Sequence, residues 1–469
     1  MSDSRDLEAD LTARLTALAN EVSADDLADP FTDRRHRATD PHQPARPRRA
    51  SSSRRWILYA SLGVAAALLI LAGLRATHGA DKRNDSVVAG QPRPAVAGEV
   101  AAIADGKLVI LDEAGHSSTI AGPVSPTAIE WSPDGRYIAV ATPSDIWVVD
   151  AHKSTARRID APTSPNTIRW SSTADVVAIS GDGVAVFDVE RGETRTVSTE
   201  AATSLEWSPD GTKLATTSST SGGGAVSSID VASGERRQLV HPTPGTGYTL
   251  ASWEPNGDHL LAWADPGSAS LAADGAPLVS IDTETGRSTV LTRGLVNPDW
   301  IQWSHQGGTF VAVTSETRYL SEGQSIVSCD VHAAKCTTIV ESDTEVYFAP
   351  RVSPDGDRLT FVAAPATSLD LSDTSAIERW MRKRTAWIAN TDGTHAHPIE
   401  GTPAAVIRTE WADADHVLAF SLDDDMTHGT LTLLDATGTG PGRTVGTGLD
   451  GIGPEIQLDA RPLPTPSKD

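Results

Sequence analysis

The stretch Leu205-Glu-Trp-Ser-Pro-Asp-Gly-Thr-Lys-Leu-Ala215 decides the fold, because versions of it return along most of the chain. An alternating apolar run ends at Trp207, and Ser208-Pro-Asp-Gly211 supplies turn residues before a second run begins at Lys213. Proline fixes φ at the second turn position, and glycine tolerates the positive φ that lets the next strand fold back antiparallel. The stretch therefore predicts a tight β-hairpin.

Seven copies of this turn signal mark seven repeats, with markers between 37 and 59 residues apart. The markers are Trp131, Trp170, Trp207, Trp253, Trp303, Val352 and Trp411. Several repeats carry a second signal, an Asp-x-x-x-Gly turn such as Asp230-Val-Ala-Ser-Gly234, between two further β-rich runs. Each repeat is therefore predicted to hold four strands, with strand A ending at the marker and strands B, C and D following.

The Trp-Ser-Pro-Asp-Gly turn with a downstream Asp-x-x-x-Gly resembles the WD40-like repeat of TolB-type β-propellers, over residues 97–460. The resemblance implies an all-β fold, a single β-propeller of four-stranded blades. It implies no particular function, because such blades serve periplasmic scaffolds, peptidase gating domains and surface-binding proteins alike.

The number of blades follows from the two ends of the repeat region. Residues 99–120 supply only strands B, C and D of one more blade, and Glu455-Ile-Gln-Leu-Asp459 is a lone run that can supply its strand A. We therefore predict eight blades, with seven as the alternative. Pairing of Glu455–Asp459 with the sheet that contains Lys107–Asp112 would close the ring and remove its exposed sheet edges.

An uncharged run from Trp56 to Leu74 predicts one transmembrane helix ahead of the propeller. Such a run extends about 28 Å as a helix, close to the thickness of a bilayer core. Five arginines precede it: Arg46, Arg48, Arg49, Arg54 and Arg55. By the positive-inside rule, the chain is expected at the cell membrane as a single-pass protein with a cytoplasmic N-terminus and an extracytoplasmic propeller. A signal peptide cleaved near Ala80 is the alternative.

The remaining segments are polar or amphipathic. Leucines between Leu7 and Leu27 recur at helical spacing, which predicts a cytoplasmic amphipathic helix over residues 1–30 and a possible site for a cytoplasmic partner. The layout resembles that of some actinobacterial anti-sigma factors, without their zinc-binding cysteines. Composition predicts a disordered basic linker over 31–55, a stalk over 75–96 and a disordered tail over 461–469.

The formal net charge of −23 argues against some functions. Residues 1–55 hold as many basic as acidic side chains, so the acidic excess belongs to the rest of the chain. An acidic exterior argues against nucleic-acid binding, which needs clustered Lys and Arg. The sequence contains no Gly-x-Ser-x-Gly elbow, and we expect a non-enzyme without a cofactor.

Long insertions are predicted on one face of the ring. If the A–B and C–D turns share one face, the B–C and D–A connections lie on the other, and every long insertion is a connection of this second kind. These are Ser218–Ala225, Trp263–Pro277, Thr314–Gln324 and Pro365–Arg384 within repeats, and His241–Thr249 between repeats. Loops on a rigid scaffold are where binding usually resides.

The residues that we predict to bind a ligand on this face are Trp263, Tyr319, Trp380, Arg382 and Arg384. The last three follow a capping-box pattern at Ser375-Ala-Ile-Glu378, which predicts a short cationic helix with an exposed aromatic. A helix that only covers its own blade is the alternative. The expected partner is an unknown protein, peptide or cell-envelope ligand. A transmembrane signalling or sigma-factor regulator is the alternative function, followed by an envelope hydrolase.

The remaining candidate residues have structural interpretations. The Trp markers are interpreted as packing between blades. Cys329 and Cys336 flank a predicted hairpin tip, where a cross-strand pair comes within disulfide range. We predict a disulfide, since two thiolates without convergent histidines make an incomplete zinc site. No metal site is predicted, because the histidines are scattered and Asp423-Asp-Asp425 lacks the ligand spacing of a calcium loop.

Overall fold

The computed structural model describes residues 87–88, 99–112, 114–162, 165–220, 223–265, 275–315, 320–370, 373–437, 440–452, 455–456 and 458–460. Within them, eight antiparallel sheets succeed one another as the blades of a β-propeller. The predicted cytoplasmic helix, basic linker, membrane span and C-terminal tail lie outside these residues. No helix in the described part of the chain is long and apolar enough to cross a membrane.

The strands follow the chain from blade to blade. Strand β1 (Val87–Val88) comes first, and blade 1 then contains β2 (Val100–Ala104), β3 (Lys107–Leu111) and β4 (Ser117–Val124). Blade 2 contains β5 (Ala128–Trp131), β6 (Tyr137–Ala141), β7 (Ile146–Asp150) and β8 (Thr155–Ile159). Blade 3 contains β9 (Thr167–Trp170), β10 (Val176–Ser180), β11 (Val184–Asp188) and β12 (Glu193–Ser198). Blade 4 contains β13 (Ser204–Trp207), β14 (Lys213–Thr220), β15 (Gly223–Asp230) and β16 (Arg236–Thr243).

The second half of the ring repeats this plan. Blade 5 contains β17 (Gly247–Trp253), β18 (His259–Asp265), β19 (Ala276–Asp282) and β20 (Ser288–Gly294). Blade 6 has a 3-10 helix (Pro298–Trp300) before β21 (Ile301–Trp303), β22 (Thr309–Ser315), β23 (Gln324–Asp330) and β24 (Lys335–Val340). Blade 7 contains β25 (Glu345–Val352), β26 (Arg358–Pro365), helix α1 (Thr374–Met381), β27 (Thr385–Asn390) and β28 (His397–Pro398). Blade 8 contains β29 (Val406–Trp411), β30 (His416–Leu422), β31 (His428–Asp435) and β32 (Arg443–Ile452), followed by β33 (Glu455–Ile456) and β34 (Leu458–Ala460).

Strand β34 closes the ring by joining blade 1 as its strand A. It pairs antiparallel with β2, so that Ala101 lies opposite Asp459 and Val100 opposite Ala460. The prediction of eight four-stranded blades is therefore confirmed, together with closure by the C-terminal run. The closing strand is shorter than predicted, because Glu455–Ile456 pairs instead with the outer strand of blade 8.

A fifth strand also extends blade 2. Val87 and Val88 pair with Arg157 and Ala156 of the outermost strand β8. These two residues belong to the segment 75–96 that was predicted as a stalk. The β-branched pair satisfies backbone groups on an otherwise unpaired sheet edge.

The apolar core lies between neighbouring blades because strand side chains alternate between the two faces of each sheet. In blade 2, Ile138 belongs to the same buried cluster as Leu108 of blade 1. Its neighbour Tyr137 points the other way and belongs to the cluster that contains Ile168 and Phe187 of blade 3. Each buried apolar side chain of this size contributes about 1.5–3 kcal/mol of transfer free energy. Every blade is thus stabilised from both sides.

The lengths of the two central strands distinguish two groups of blades. In blades 1–3, the short blades, strands B and C hold 5 residues each. In blades 4–8, the tall blades, they hold 6 to 8 residues. Each B strand that follows a marker begins one residue before the position that lies opposite that marker. Trp131, for example, lies opposite Ile138, and Trp207 lies opposite Leu214. The extra residues therefore extend one face only, the face of the B–C and D–A connections, named here the loop face; the opposite face is the turn face.

Candidate functional site

In four of the blades, the tryptophan that ends strand A donates a hydrogen bond to a backbone carbonyl of the preceding blade. The indole N–H of Trp170 donates to the carbonyl of Glu130 at 2.9 Å, and that of Trp207 donates to the carbonyl of Arg169 at 3.0 Å. The same bond joins Trp253 to Glu206 and Trp411 to Arg351. These indoles are buried, as the interpretation of the markers as packing residues requires. They are not available to stack on a ligand.

The residues immediately before the markers surround the central channel. First strands of neighbouring blades contact one another around the axis of the ring. The charge of Arg169 in blade 3 also contributes, after Arg408 and Arg351, to lowering the pKa of Asp299 in blade 6. The residues of this channel ring are Glu130, Arg169, Glu206, Ser252, Gln302, Arg351 and Glu410.

On the side of blades 2–4, one arginine serves two carboxylates in the channel ring. The Nε atom of Arg169 lies 2.9 Å from Oε1 of Glu206, and its Nη1 atom lies 3.6 Å from Oε2 of Glu130. Burial raises the pKa of the Glu206 carboxyl, and the shared Arg169 offsets this rise only in part. This side of the channel therefore places two carboxylates around one cation.

On the side of blades 7 and 8, two arginines converge on one carboxylate. Oε1 of Glu410 accepts from Nε of Arg351 and from Nη2 of Arg408, each at 2.7 Å. Burial would raise the pKa of Glu410, but the two guanidinium groups outweigh it and hold this pKa below its usual range. The pKa of Asp299 is likewise held down, since Arg408 and Arg351 outweigh its desolvation. The channel wall is therefore an internally compensated set of ion pairs.

The structure corrects the predicted exposure on the loop face. Trp263 and Trp380 are only 3% and 4% exposed, so the exposed aromatic expected at Trp380 is wrong. Trp263 lies in a long B strand that packs against blade 6. Tyr319 lies outside the described residues. Arg382 remains at the surface, where its Nη1 atom donates to Oδ1 of Asp424 in the next blade at 2.8 Å.

Helix α1 covers its own blade, which was the alternative interpretation of this insertion. The indole N–H of Trp380 donates to the carbonyl of Pro365 at 2.8 Å, at the end of strand β26. The guanidinium of Arg384 lies between two rings, 4.8 Å from the centroid of Phe348 and 4.7 Å from that of Trp380. Trp380 and Arg384 therefore attach the helix to the blade. The predicted role of Trp263, Trp380 and Arg384 in ligand binding stays untested, but the burial of the two tryptophans leaves Arg382 as the surface candidate.

The cap of α1 also differs from the prediction. Oδ1 of Asp373 accepts from the backbone N–H of Ala376 at 3.0 Å, so Asp373 is the N-cap. The capping box predicted at Ser375 and Glu378 is wrong by two residues, because the helix begins at Thr374. Aspartate caps a helix as well as serine does, and its charge also complements the positive end of the helix dipole.

Cys329 and Cys336 form the predicted disulfide across β23 and β24. The two cysteines lie directly opposite each other, with Cα atoms 4.0 Å apart. The bond closes the hairpin whose tip carries His332. On the turn face, this tip reaches the neighbouring blade.

Glu254, His259 and His332, which were not grouped from the sequence, lie close together on the turn face. Nδ1 of His259 lies 2.8 Å from Oε2 of Glu254, and Nε2 of His332 lies 3.4 Å from Oε1 of the same carboxylate. The interpretation of all histidines as scattered is therefore wrong for His259 and His332. A signal was present, since Trp253-Glu-Pro-Asn-Gly257 has glutamate where five of the other six repeats have serine. Among the described residues, this group could hold a metal ion.

Comparisons with known proteins show the fold class and no more. No protein-family model and no curated protein matches the sequence. Dipeptidyl peptidase 4 of Porphyromonas gingivalis is 11% identical at a TM-score of 0.50, over 76% of this chain and 60% of the peptidase. A putative TolB from Agrobacterium tumefaciens is 14% identical at a TM-score of 0.37, over 69% of this chain and 94% of that protein. The tricorn protease is 14% identical at 0.44, over 76% of this chain and 39% of the protease.

The chain's own eight sheets and the closing strand β34 make it an eight-bladed β-propeller. It spans less than two thirds of each of these two peptidases. At such identities, a structural likeness reports how the chain folds and leaves its activity to be argued from its own residues.

Proposed function

We propose that this chain is a non-catalytic binding protein that holds a protein or peptide partner on the loop face of blades 4–8. The observation that carries the proposal is the length of strands B and C. In five consecutive blades, strands B and C extend the loop face by up to three residues per strand. At the turn face, the strands of short and tall blades begin and end at equivalent positions. Extension of one face alone is not needed to close a propeller, so we attribute it to recognition.

The turn face offers less to a partner because its A–B turns resemble one another. In blade 2, the hydroxyl of Ser132 donates to Asp134 at 2.6 Å and accepts from the backbone N–H of Tyr137 at 2.9 Å. In blade 4, Ser208 bonds to Asp210 and Lys213 in the same way. These polar groups are satisfied within their own turns.

The rim of the loop face beside blade 7 carries three cationic side chains, two of which pair with carboxylates: Arg379 with Asp373 and Arg382 with Asp424. Arg379, Arg382 and Lys383 follow one another at the end of α1, and the side chain of Arg379 is two-thirds exposed. Arg382 joins blades 7 and 8 through Asp424. Cations on an acidic surface favour a partner segment that carries carboxylates. We therefore expect an acidic protein or peptide segment at this part of the rim.

We also propose that Trp56–Leu74 anchors the chain in a membrane, with the propeller on the extracytoplasmic side. The support is the uncharged run itself and the arginines before it. The Cys329–Cys336 disulfide is consistent with an oxidising compartment. Protease added outside intact cells should digest the propeller; complete protection of the propeller would contradict this topology.

Site-specific photo-crosslinking tests the binding face. A photoreactive amino acid replaces Lys383 on the loop face in the full chain, expressed in its own cells, and a matched variant carries it at Ala232 on the turn face. We expect a discrete crosslinked partner from position 383 and none from position 232. Adding Arg382→Glu should weaken the crosslink by removing positive charge from the rim. A crosslink from position 232 alone, or equal crosslinking from both positions, would contradict the proposal.

A further inference from the structure

We infer that Glu254, His259 and His332 form a binding site for a divalent transition-metal ion of the zinc class, between blades 5 and 6 on the turn face. Each residue offers one ligand atom, and these atoms lie within 4.8 Å of one another. The inference concerns the face opposite to the proposed partner site and does not depend on that proposal.

Glu254 departs from the repeat by placing a carboxylate in a buried position between two blades. Its counterparts Ser132, Ser208 and Ser353 each bond within their own turn. The Glu254 side chain is instead fully buried and reaches the next blade, where its Oε1 atom accepts from the backbone N–H of Gly308 at 2.7 Å. A buried carboxylate costs several kcal/mol unless cationic or hydrogen-bonding partners compensate it. The N–H of Gly308 and the ring of His259 are hydrogen-bonding partners of this carboxylate, and a metal ion would add a cationic one.

The two imidazoles are close to coordinating positions. His259 is held 2.8 Å from Oε2 of Glu254, and His332 is 3.4 Å from Oε1. Their rings meet edge to face with centroids 5.0 Å apart. Ligand atoms around a tetrahedral zinc ion lie about 3.3 Å apart, given metal–ligand distances of about 2.0–2.1 Å. Small side-chain rotations would therefore bring the three ligand atoms around one ion.

The donor set selects the class of metal. Calcium and magnesium prefer oxygen ligands, whereas two imidazole nitrogens with one carboxylate suit zinc and its neighbours in the first transition row. Three protein ligands leave at least one coordination position open. That position faces solvent on the side of His332, whose side chain is 53% exposed. Water or a carboxylate from a bound molecule could occupy it.

Two features of blade 6 support the position of His332. Gly308 adopts φ +74°, a conformation that glycine tolerates, and this turns its N–H towards Glu254. The Cys329–Cys336 disulfide closes the hairpin that presents His332. Outer-shell groups that hydrogen-bond a metal ligand, as the N–H of Gly308 does, commonly change metal affinity by about 10–100-fold when they are removed. We also infer that metal affinity depends on the disulfide.

Zinc titration of the full chain tests the site after metal removal with a chelator. We expect one equivalent of Zn²⁺ to bind, and Co²⁺ at the same site to give visible d–d absorption bands. His332→Ala should weaken Zn²⁺ binding at least about tenfold without unfolding the blade, because this side chain lies at the surface. The matched control is His416→Ala, which removes a histidine from a similar His–Asp pair, 2.9 Å from Asp413. It should leave Zn²⁺ affinity unchanged.

If the unmodified chain shows no saturable Zn²⁺ binding, or if His332→Ala and His259→Ala both bind Zn²⁺ as tightly as the unmodified chain, the site does not exist. A paired Cys329→Ser and Cys336→Ser variant should bind Zn²⁺ about tenfold more weakly. Unchanged affinity in that variant would overturn the dependence on the disulfide.

Discussion

The short blades 1–3 and the tall blades 4–8 share one frame and differ in what extends from it. Both kinds of blade use the same indole-to-carbonyl link, as the bonds of Trp170 and Trp411 show. Both carry the same A–B turn in blades 2 and 7, where Ser132 and Ser353 accept from backbone N–H groups. Strands B and C are longer in every tall blade, and their extra residues lie towards the loop face. The comparison separates the residues that build the ring from those that are free to serve a function.

The channel shows the same division in its charges. Beside blades 2–4, Arg169 is shared by Glu130 and Glu206. Beside the tall blades 7 and 8, Glu410 receives both Arg351 and Arg408. Beside blades 2–4, two carboxylates contact one guanidinium group. Beside blades 7 and 8, two guanidinium groups contact one carboxylate. Substitutions on the two sides should have unequal effects, whereas substitutions in the shared frame should not.

The largest effect is expected from the shared frame. Trp170→Ala and Trp411→Ala should each lower the free energy of unfolding by about 3–5 kcal/mol, since each leaves a large cavity between blades. The Trp→Phe variants keep most of the packing and should lose about 1 kcal/mol with the N–H bond. Chemical denaturation of the full chain measures these losses. A loss at one position more than twice that at the other would contradict a common frame.

The next largest effect is expected from the channel ring. Glu410→Gln leaves two guanidinium groups without their carboxylate and should cost about 2–4 kcal/mol. Glu206→Gln should cost less than about 1 kcal/mol, because Arg169 retains Glu130 and a carboxyl with a raised pKa is released. Denaturation at neutral pH compares the two variants. Equal costs would show that the two sides of the channel are electrostatically alike.

The pH dependence of these variants should have opposite signs. The lowered pKa of Glu410 stabilises the folded state above its unfolded pKa of about 4.3, and this contribution is lost as the pH falls through the folded value. The deficit of Glu410→Gln should therefore shrink in acid. Because the pKa of Glu206 is raised, the folded state binds a proton at a higher pH than the unfolded state does. As the pH falls, the free energy of unfolding of the unmodified chain should therefore rise relative to that of Glu206→Gln. The same sign in both variants would contradict the assigned pKa directions.

A smaller effect is expected from the disulfide. The paired Cys329→Ser and Cys336→Ser variant should lose about 2.5 kcal/mol, because the bond closes a short loop. Blade 4 offers an internal reference, since its corresponding hairpin from Asp230 to Glu235 is held by hydrogen bonds alone. Hydrogen exchange should show faster local opening in blade 6 of the variant and no change in blade 4. Equal acceleration in both blades would indicate a global effect.

The smallest effect on stability is expected at Arg382. Arg382→Ala breaks a pair with an exposed carboxylate and should cost less than about 1 kcal/mol. Its effect on partner binding should nevertheless be large, because the rim loses a central cation. Thermal denaturation and crosslinking from position 383 measure the two quantities on the same protein. A large loss of stability with unchanged crosslinking would mean that Arg382 serves the frame.

The sequence was sufficient to predict the fold because each repeat carries its own marker. A turn fixed by proline and glycine, followed by strands of alternating polarity, defines a blade locally. Closure followed from the incomplete first blade and the lone C-terminal run. The division of that run was not predictable, because Ile456 and Leu458 are both apolar and nothing local decides which sheet each strand joins.

The candidate sites were harder to predict because they combine distant residues. The burial of Trp380 depends on Phe348 and Pro365, which the chain brings beneath α1 only after folding. Glu254 and His332 belong to different blades, so their spacing carries no motif. The channel ring was available to sequence reasoning, since aligning the residue before each marker gives a column of mostly charged and polar side chains. Cytoplasmic signalling through Leu7–Leu27 stays a prediction.

Radical footprinting of the full chain in its own cells tests the central claim, that the tall side of the loop face is the binding surface. Side-chain oxidation is compared between cells that contain the crosslinked partner and cells from which that partner has been deleted. We predict that the partner protects the loop-face ends of strands B and C in blades 4–8, including Lys383, and leaves the turn face and blades 1–3 unchanged. Protection centred on the turn face, or spread evenly over short and tall blades, would contradict the account.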